Sequence, residues 1–258
     1  MKQLSPDVLY VEIGASTAKL ADIVSRHDAD LPIPTCPDWN LRQLATHLGR
    51  VHRWVTQLVT TRSQDSIAFN SAPDGKYPAD PADQPAWLIS GAERLVSALR
   101  DAGSAKVWAF NTLAPASFWA RRQAHETMVH RVDAELAGGV EPLIATAAAA
   151  DAIDEWLEIM AGPRHGRPDA RLTALPPGKT LHIHASTDGG ADSGEWLVRH
   201  AGDGISVQRE HSKADAAVTG PADRLLLVLL RRLPADDPAI TVYGDASLLT
   251  GWLAGTPF

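Results

Sequence analysis

The sequence predicts an α plus α+β protein, an antiparallel four-helix bundle followed by a small α+β domain, and three observations carry that prediction. Apolar residues recur at i, i+3, i+4 and i+7 through most of the first 160 residues, the period of amphipathic helices. A Pro/Gly/Arg-rich stretch, 162-GPRHGRPDARLTALPPGK-179, then interrupts the pattern. Beyond it, 180-TLHIHAST-187, 195-EWLVRHAG-202, 204-GISVQREH-211 and 216-AAVTG-220 alternate with the period of two that strands require. The expected domains are therefore a helical one over 1–162 and an α+β one over 175–258.

Taken in order, the helical segments lie near 6–28, 38–61, 83–102, 116–137 and 144–161, with end signals at Asp38, Ser117 and the Gly138-Gly139 pair. Four of the five can close into an antiparallel bundle. The second and third are joined by 62-RSQDSIAFNSAPDGKYPADPADQP-85, and a loop of that length in a compact domain is usually a lid or a binding loop. In the second domain a helix at 221–233, with Pro221 in its first turn, follows the strands. A short strand at 239–244 and a last helix at 245–254 complete it.

Composition narrows the function classes. A chain of 258 residues buries a core without staples, so a metal would serve function. The single cysteine, Cys36, excludes an internal disulfide and fits a reducing compartment. The start shows no basic region followed by an apolar one, and the longest apolar run, 225-LLLVLL-230, falls far short of the ~20 residues of a membrane span. The net charge of −7, with only six lysines among 24 basic residues and no dominant basic cluster, argues against nucleic acid. The expectation is a soluble cytoplasmic protein, a monomer or small homo-oligomer, that acts on a small molecule away from membranes.

The chemistry concentrates in 121-RRQAHETMVHRVDAE-135. His125 and His130 are five residues apart, about 140° around a helix, so they do not share a metal ion as the pair in H-E-x-x-H does. Glu126 and His130, at i and i+4, are only about 40° apart. Their face also carries Phe118, Trp119, Arg122, Val129, Asp133, Leu136 and Ala137, and the opposite side carries Arg121, Ala124, Arg131 and Glu135. A core-facing stripe of Arg122, Glu126, His130 and Asp133 must be mutually paired or bound to something, because unpaired buried charge costs several kcal/mol. An interior ion-pair network and a metal site both satisfy that requirement.

A second helix bears on the choice. His47 sits at the centre of the apolar stripe of 38-DWNLRQLATHLGRVHRWVTQL-58, among Leu44, Val51, Trp54, Val55 and Leu58. Bundle metal sites are built from facing helices, so His47 with Glu126 and His130 makes a candidate His2Glu set. Asp133 could hold a ligand from behind, and Arg122 could meet an anion. His52, about 140° from His47, is expected at the surface. His182 and His184 share a strand face with no third ligand in view and are expected to decorate a sheet.

These residues also carry a resemblance. The runs 35-TCPDWNLRQLATHLGRVHRWV-55 and 122-RQAHETMVHRVDAELAG-138, with HIHAST, GEWLVR and GPADRLLLVLLRRLP later on, resemble the mycothiol-dependent maleylpyruvate isomerase family over nearly the whole chain. The resemblance implies a DinB-like N-terminal four-helix bundle and a C-terminal domain akin to sterol carrier proteins. It implies a divalent metal, typically zinc, on His47, Glu126 and His130, with mycothiol as thiol cosubstrate. It also implies an arginine of the second domain near the substrate. Arg232 is the nearest match, although a charge at a helix end is an equal account of it.

The implied chemistry is addition of a metal-activated thiolate to an electrophile, so Cys36 need not be the nucleophile. Cis–trans isomerisation of a maleylpyruvate-type substrate is the leading expectation, and a mycothiol S-transferase or thiol-exchange enzyme is the alternative. A non-catalytic metal- or ligand-binding protein and a lipid carrier are the rivals from other classes. The polar alternation of HIHAST and VQREHS speaks against the carrier.

Overall fold

The structure is a computed structural model and describes residues 3–110, 112–162, 174–186, 192–201 and 204–256. The chain forms two compact units, Leu4–Pro142 and Leu143–Phe258. The first holds four long helices, α1 (Pro6–Arg26), α2 (Leu41–Thr60), α3 (Gln84–Ala102) and α4 (Ala116–Ala137). Helix α1 packs on α3 and α4, and α2 packs on the same two helices. Between α3 and α4 the chain makes a hairpin that the sequence reading left out, β1 (Lys106–Ala109) antiparallel to β2 (Thr112–Pro115).

Local chemistry sets the helix ends. Asp38 does not start α2, because its φ of 74° lies in the left-handed region. Asn40 caps the helix instead: its side chain accepts from Gln43 N, and Gln43 Oε1 accepts from Asn40 N, a reciprocal capping box. Ahead of the cap the chain folds back on itself, with Ile33 N bonded to Trp39 O and Leu41 N to Leu31 O. Ser117 likewise lies inside α4, whose N-cap is Pro115 with no side-chain cap. The Gly138-Gly139 signal does end that helix, since Gly139 has φ 72° and the N–H groups of Gly139 and Val140 close onto Leu136 and Glu135.

The packing of α4 differs from an amphipathic surface helix. Seventeen of its 22 residues are buried, including Arg121, Arg131 and Glu135 on the side opposite Glu126. The buried charge is paired, Arg131 Nη1 lying 2.8 Å from Glu135 Oε2. Around the other end of α4, Trp119 meets Trp54 at 5.3 Å between ring centroids and donates from Nε1 to Trp108 O. Close approach of α2 to α3 is set by Gly49, where a Cβ would overlap the Trp87 ring.

Helix α5 (Thr146–Ala161) belongs to the second unit and not to the bundle, so the boundary expected at 162 falls at 142/143. Its reason is packing: α5 lies against α6 (Ala222–Leu229) and against strands of the second unit. Those strands are β3 (Thr180–Ser186), β4 (Asp192–Ala201), β5 (Gly204–Gln208), β6 (Ala216–Pro221) and β7 (Thr241–Gly244), ordered β5-β4-β3-β6-β7. All neighbours are antiparallel except β3 and β6, which are parallel. Helix α7 (Ala246–Gly255) closes the unit, its first turn capped by Asp245.

The sheet separates two chemistries. Leu181, Ile183, Ala185, Trp196 and Val198 alternate to one face, where Trp196 Nε1 donates to Asp154 Oδ1 of α5 at 2.9 Å. His182, His184 and Glu195 stand on the other, His184 and Glu195 being directly opposite in register. Helix α6 is shorter than the 221–233 expected, because Arg231 turns left-handed with φ 59°. The N–H groups of Arg231 and Arg232 then bond to Val228 O and Leu227 O, the paired closure of a Schellman motif. Pro221 precedes α6 as its N-cap.

Candidate metal centre

Glu126 and His130 lie one turn apart on α4, and mid-α2 brings His47 to them. His47 Nε2 is 3.1 Å from Glu126 Oε1, and His130 Nε2 is 3.4 Å from the same oxygen. The three donor atoms lie within 4.8 Å of one another. Donors around a tetrahedral ion with bonds of ~2.0–2.1 Å stand roughly 3.3 Å apart, so the spacing already suits a His2Glu set. His125, which the helical spacing discards, is buried elsewhere on α4.

What stands behind the three residues is as specific as the residues. His130 Nδ1 is 2.9 Å from Asp133 Oδ2. A carboxylate only accepts, so Nδ1 carries the proton and Nε2 faces Glu126. Asp133 is fully buried and is held in turn by the Thr35 hydroxyl at 2.6 Å and the Cys36 thiol at 3.5 Å. The carboxylate of Glu126 is divided: Oε1 serves the two imidazoles, while Arg122 Nη2 donates to Oε2 at 2.9 Å.

The protonation of the metal-free cluster follows. Burial opposes charge on Glu126, but hydrogen bonds from His130 and His47 and the charges of His130 and Arg122 outweigh it and hold its carboxyl well below the ordinary range. Burial also opposes charge on His130, yet Asp133, Cys36 and Glu126 together raise it well above the ordinary imidazole value. Without an ion, then, His130 is an imidazolium between two carboxylates, and a metal arriving at Nε2 would displace a proton.

Several contributors escaped the sequence reading. Trp39 packs 4.9 Å from the His47 ring and 6.0 Å from that of His130. Phe69, from the 62–85 loop, lies 6.5 Å from His47, so the loop does reach the cluster. Thr35, Cys36 and Trp39 all belong to TCPDW, and the fold-back ahead of α2 is what turns them inward.

One of the remaining assignments changes. His52 is not at the surface: it is fully buried, with Nε2 2.9 Å from Thr127 Oγ1 on α4, because α2 is covered by both α3 and α4. Arg122 contacts Glu126 Oε2 and Asp133 contacts His130 Nδ1. Arg232 lies in the second unit, where its Nη1 donates to Leu230 O at 2.9 Å, the carbonyl at the C-cap of α6.

Residues 11–135 match the mycothiol maleylpyruvate isomerase N-terminal domain, and residues 147–251 match the C-terminal domain of that family. No curated protein matches the sequence. Among solved structures, the crystal structure of the mycothiol-dependent maleylpyruvate isomerase superposes with a TM-score of 0.59 at 13% identity, covering 95% of this chain and 97% of that one. That of a mutant of the same enzyme superposes with a TM-score of 0.60 at 12% identity and the same coverage. These likenesses show a shared fold, and the two matched domains show more: the chain belongs to the mycothiol-dependent maleylpyruvate isomerase family.

Proposed function

We propose that this chain is a divalent-metal enzyme that uses the thiol of mycothiol to isomerise an activated cis double bond of the maleylpyruvate type. The observation that carries the reading is the convergence of His47, Glu126 and His130 with Asp133 fixed behind His130. A nitrogen-rich His2Glu set with a single carboxylate suits zinc among common ions, and three protein ligands leave a position open. An ion held there would lower the pKa of a coordinated thiol and keep it as the thiolate.

The remaining work falls to the chain's own residues. Asp133 fixes the ring of His130 and the proton on its Nδ1. Arg122 neutralises one oxygen of Glu126 and leaves the other aimed at the imidazoles. Trp39 and Phe69 put apolar walls beside His47, which limit water around a nucleophile. The thiolate adds to one carbon of the double bond, rotation occurs about the resulting single bond, and loss of the same thiolate restores the double bond as trans. No atom is gained or lost, so the thiol acts catalytically. Arg122 is the candidate for a carboxylate of the substrate.

The test supplies maleylpyruvate to the zinc-loaded chain with and without mycothiol. We expect isomerisation that depends on thiol and leaves its concentration unchanged. Equal rates without thiol would reject the cosubstrate, and stoichiometric thiol consumption would replace isomerisation by S-transfer. Zinc retained in full by folded His47→Ala, Glu126→Ala and His130→Ala variants would remove the metal assignment.

A further inference from the structure

We propose a second divalent-metal site on the sheet of the C-terminal unit, formed by His182 of β3, Glu195 of β4 and His211, with His184 beside them. The sequence offered only the pair His182 and His184, and strand pairing supplies what it lacked. Register sets Glu195 opposite His184, and the chain leaving β5 returns His211 to the same face. His211 Nδ1 then lies 2.7 Å from Glu195 Oε2, His182 Nε2 3.6 Å from that oxygen, and His184 Nε2 3.3 Å from Oε1. One donor atom each from His182, Glu195 and His211 falls within 4.8 Å of the others.

A polar decoration of the sheet leaves one fact without a cause. His182 is 6% exposed, and its Nε2 has no hydrogen-bond partner among the described residues although it points at Glu195. At 3.6 Å the nitrogen is too far for a hydrogen bond to the carboxylate, yet this is an ordinary separation for two ligands of one ion. His211 is exposed and leaves the cluster open to solvent, so an ion can enter. Two imidazoles and one carboxylate select zinc-class ions over calcium or magnesium, which take oxygen ligands. None of the four residues is shared with the helical cluster.

The experiment measures zinc per chain on the untagged full-length protein after dialysis against micromolar zinc chloride, using elemental analysis. We expect two equivalents in the parent chain, one in His47→Ala, one in His211→Ala and none in the double variant. Glu195→Gln, checked for fold by circular dichroism, is a second route to losing the same equivalent. His211 is solvent-exposed, so its substitution leaves folding intact. The inference is overturned if His47→Ala binds no zinc, or if the second equivalent survives both His211→Ala and Glu195→Gln. A single equivalent that disappears with His211→Ala would support this site and remove the helical one.

Discussion

The two histidine–carboxylate clusters use nearly the same donors and differ in what stands behind them. On the helices, Asp133 is fully buried, holds His130 by Nδ1 and is itself held by Thr35 and Cys36, while Arg122 takes the spare oxygen of Glu126. On the sheet, the contacts of Glu195 among the described residues are three imidazoles, one of them exposed. Orientation of ligands by a buried outer partner raises basicity and fixes geometry before the ion arrives. If both proposed sites hold an ion, the helical one holds it in the more rigid frame.

The comparison breaks most sharply at Glu126. Glu126→Gln removes the charge that balances His130 and Arg122 and leaves buried cations uncompensated. Breaking a buried pair in this way costs about 3–5 kcal/mol. Zinc affinity at this site should fall by at least ~100-fold, as read by chelator competition, with the sheet site unchanged. Parent-like affinity would mean that the helical trio is an ion-pair network and not a ligand set.

Asp133→Asn is the next largest and probes directly the residue that holds His130 from behind. The amide cannot take the proton-rich edge of His130 as a carboxylate does. Losing such an outer partner costs ~10–100-fold in metal affinity or activity. The same chelator competition measures it, and an unchanged constant would make Asp133 merely structural.

The same contrast explains what was readable in the sequence. The helical trio was legible because helical geometry is local: one turn puts Glu126 beside His130, and the apolar stripe of α2 puts His47 inward. The sheet cluster was not, since Glu195 and His211 meet His182 only through strand register and a return after β5, which no local period encodes. His52 misled because a helix covered on two sides has no solvent face at 140° from its core. Four-residue strands such as β1 and β2 leave too short an alternation to detect, and α5 shows that amphipathicity marks a helix without saying which core it joins.

Scaffold and site can be separated at Gly49, where α2 presses on the Trp87 ring. Gly49→Ala forces that ring to move, an overpacking cost of about 1–3 kcal/mol. A lowered Tm with zinc stoichiometry retained is the expected outcome. Loss of zinc along with Tm would show that the α2–α3 contact sets the position of His47 two residues earlier.

The smallest effect concerns His52, a buried histidine that neither cluster uses. Thr127 gives its single proton to Gln123 O at 2.6 Å, so it accepts from His52 Nε2–H, and Nδ1 is a buried lone pair without a partner among the described residues. Burial, then the charge of Arg53, lower its pKa from 6.5 to about 3. Above pH 6.5 the ring is neutral in folded and unfolded chains alike and contributes nothing to pH dependence. Below that the unfolded chain takes up a proton that the folded chain refuses, so stability falls with pH, by at most ~1.4 kcal/mol per unit, until the folded value is reached. At pH 5.5 the loss is about 1.4 kcal/mol, and there it depends on the unfolded value alone because the folded ring is still neutral. Denaturant unfolding of the parent and of His52→Gln between pH 7.5 and pH 5.5 should therefore diverge by roughly that amount, the parent having the steeper dependence. Parallel curves would place a protonated ring in the bundle core, which its buried Nδ1 and the neighbouring Arg53 both oppose.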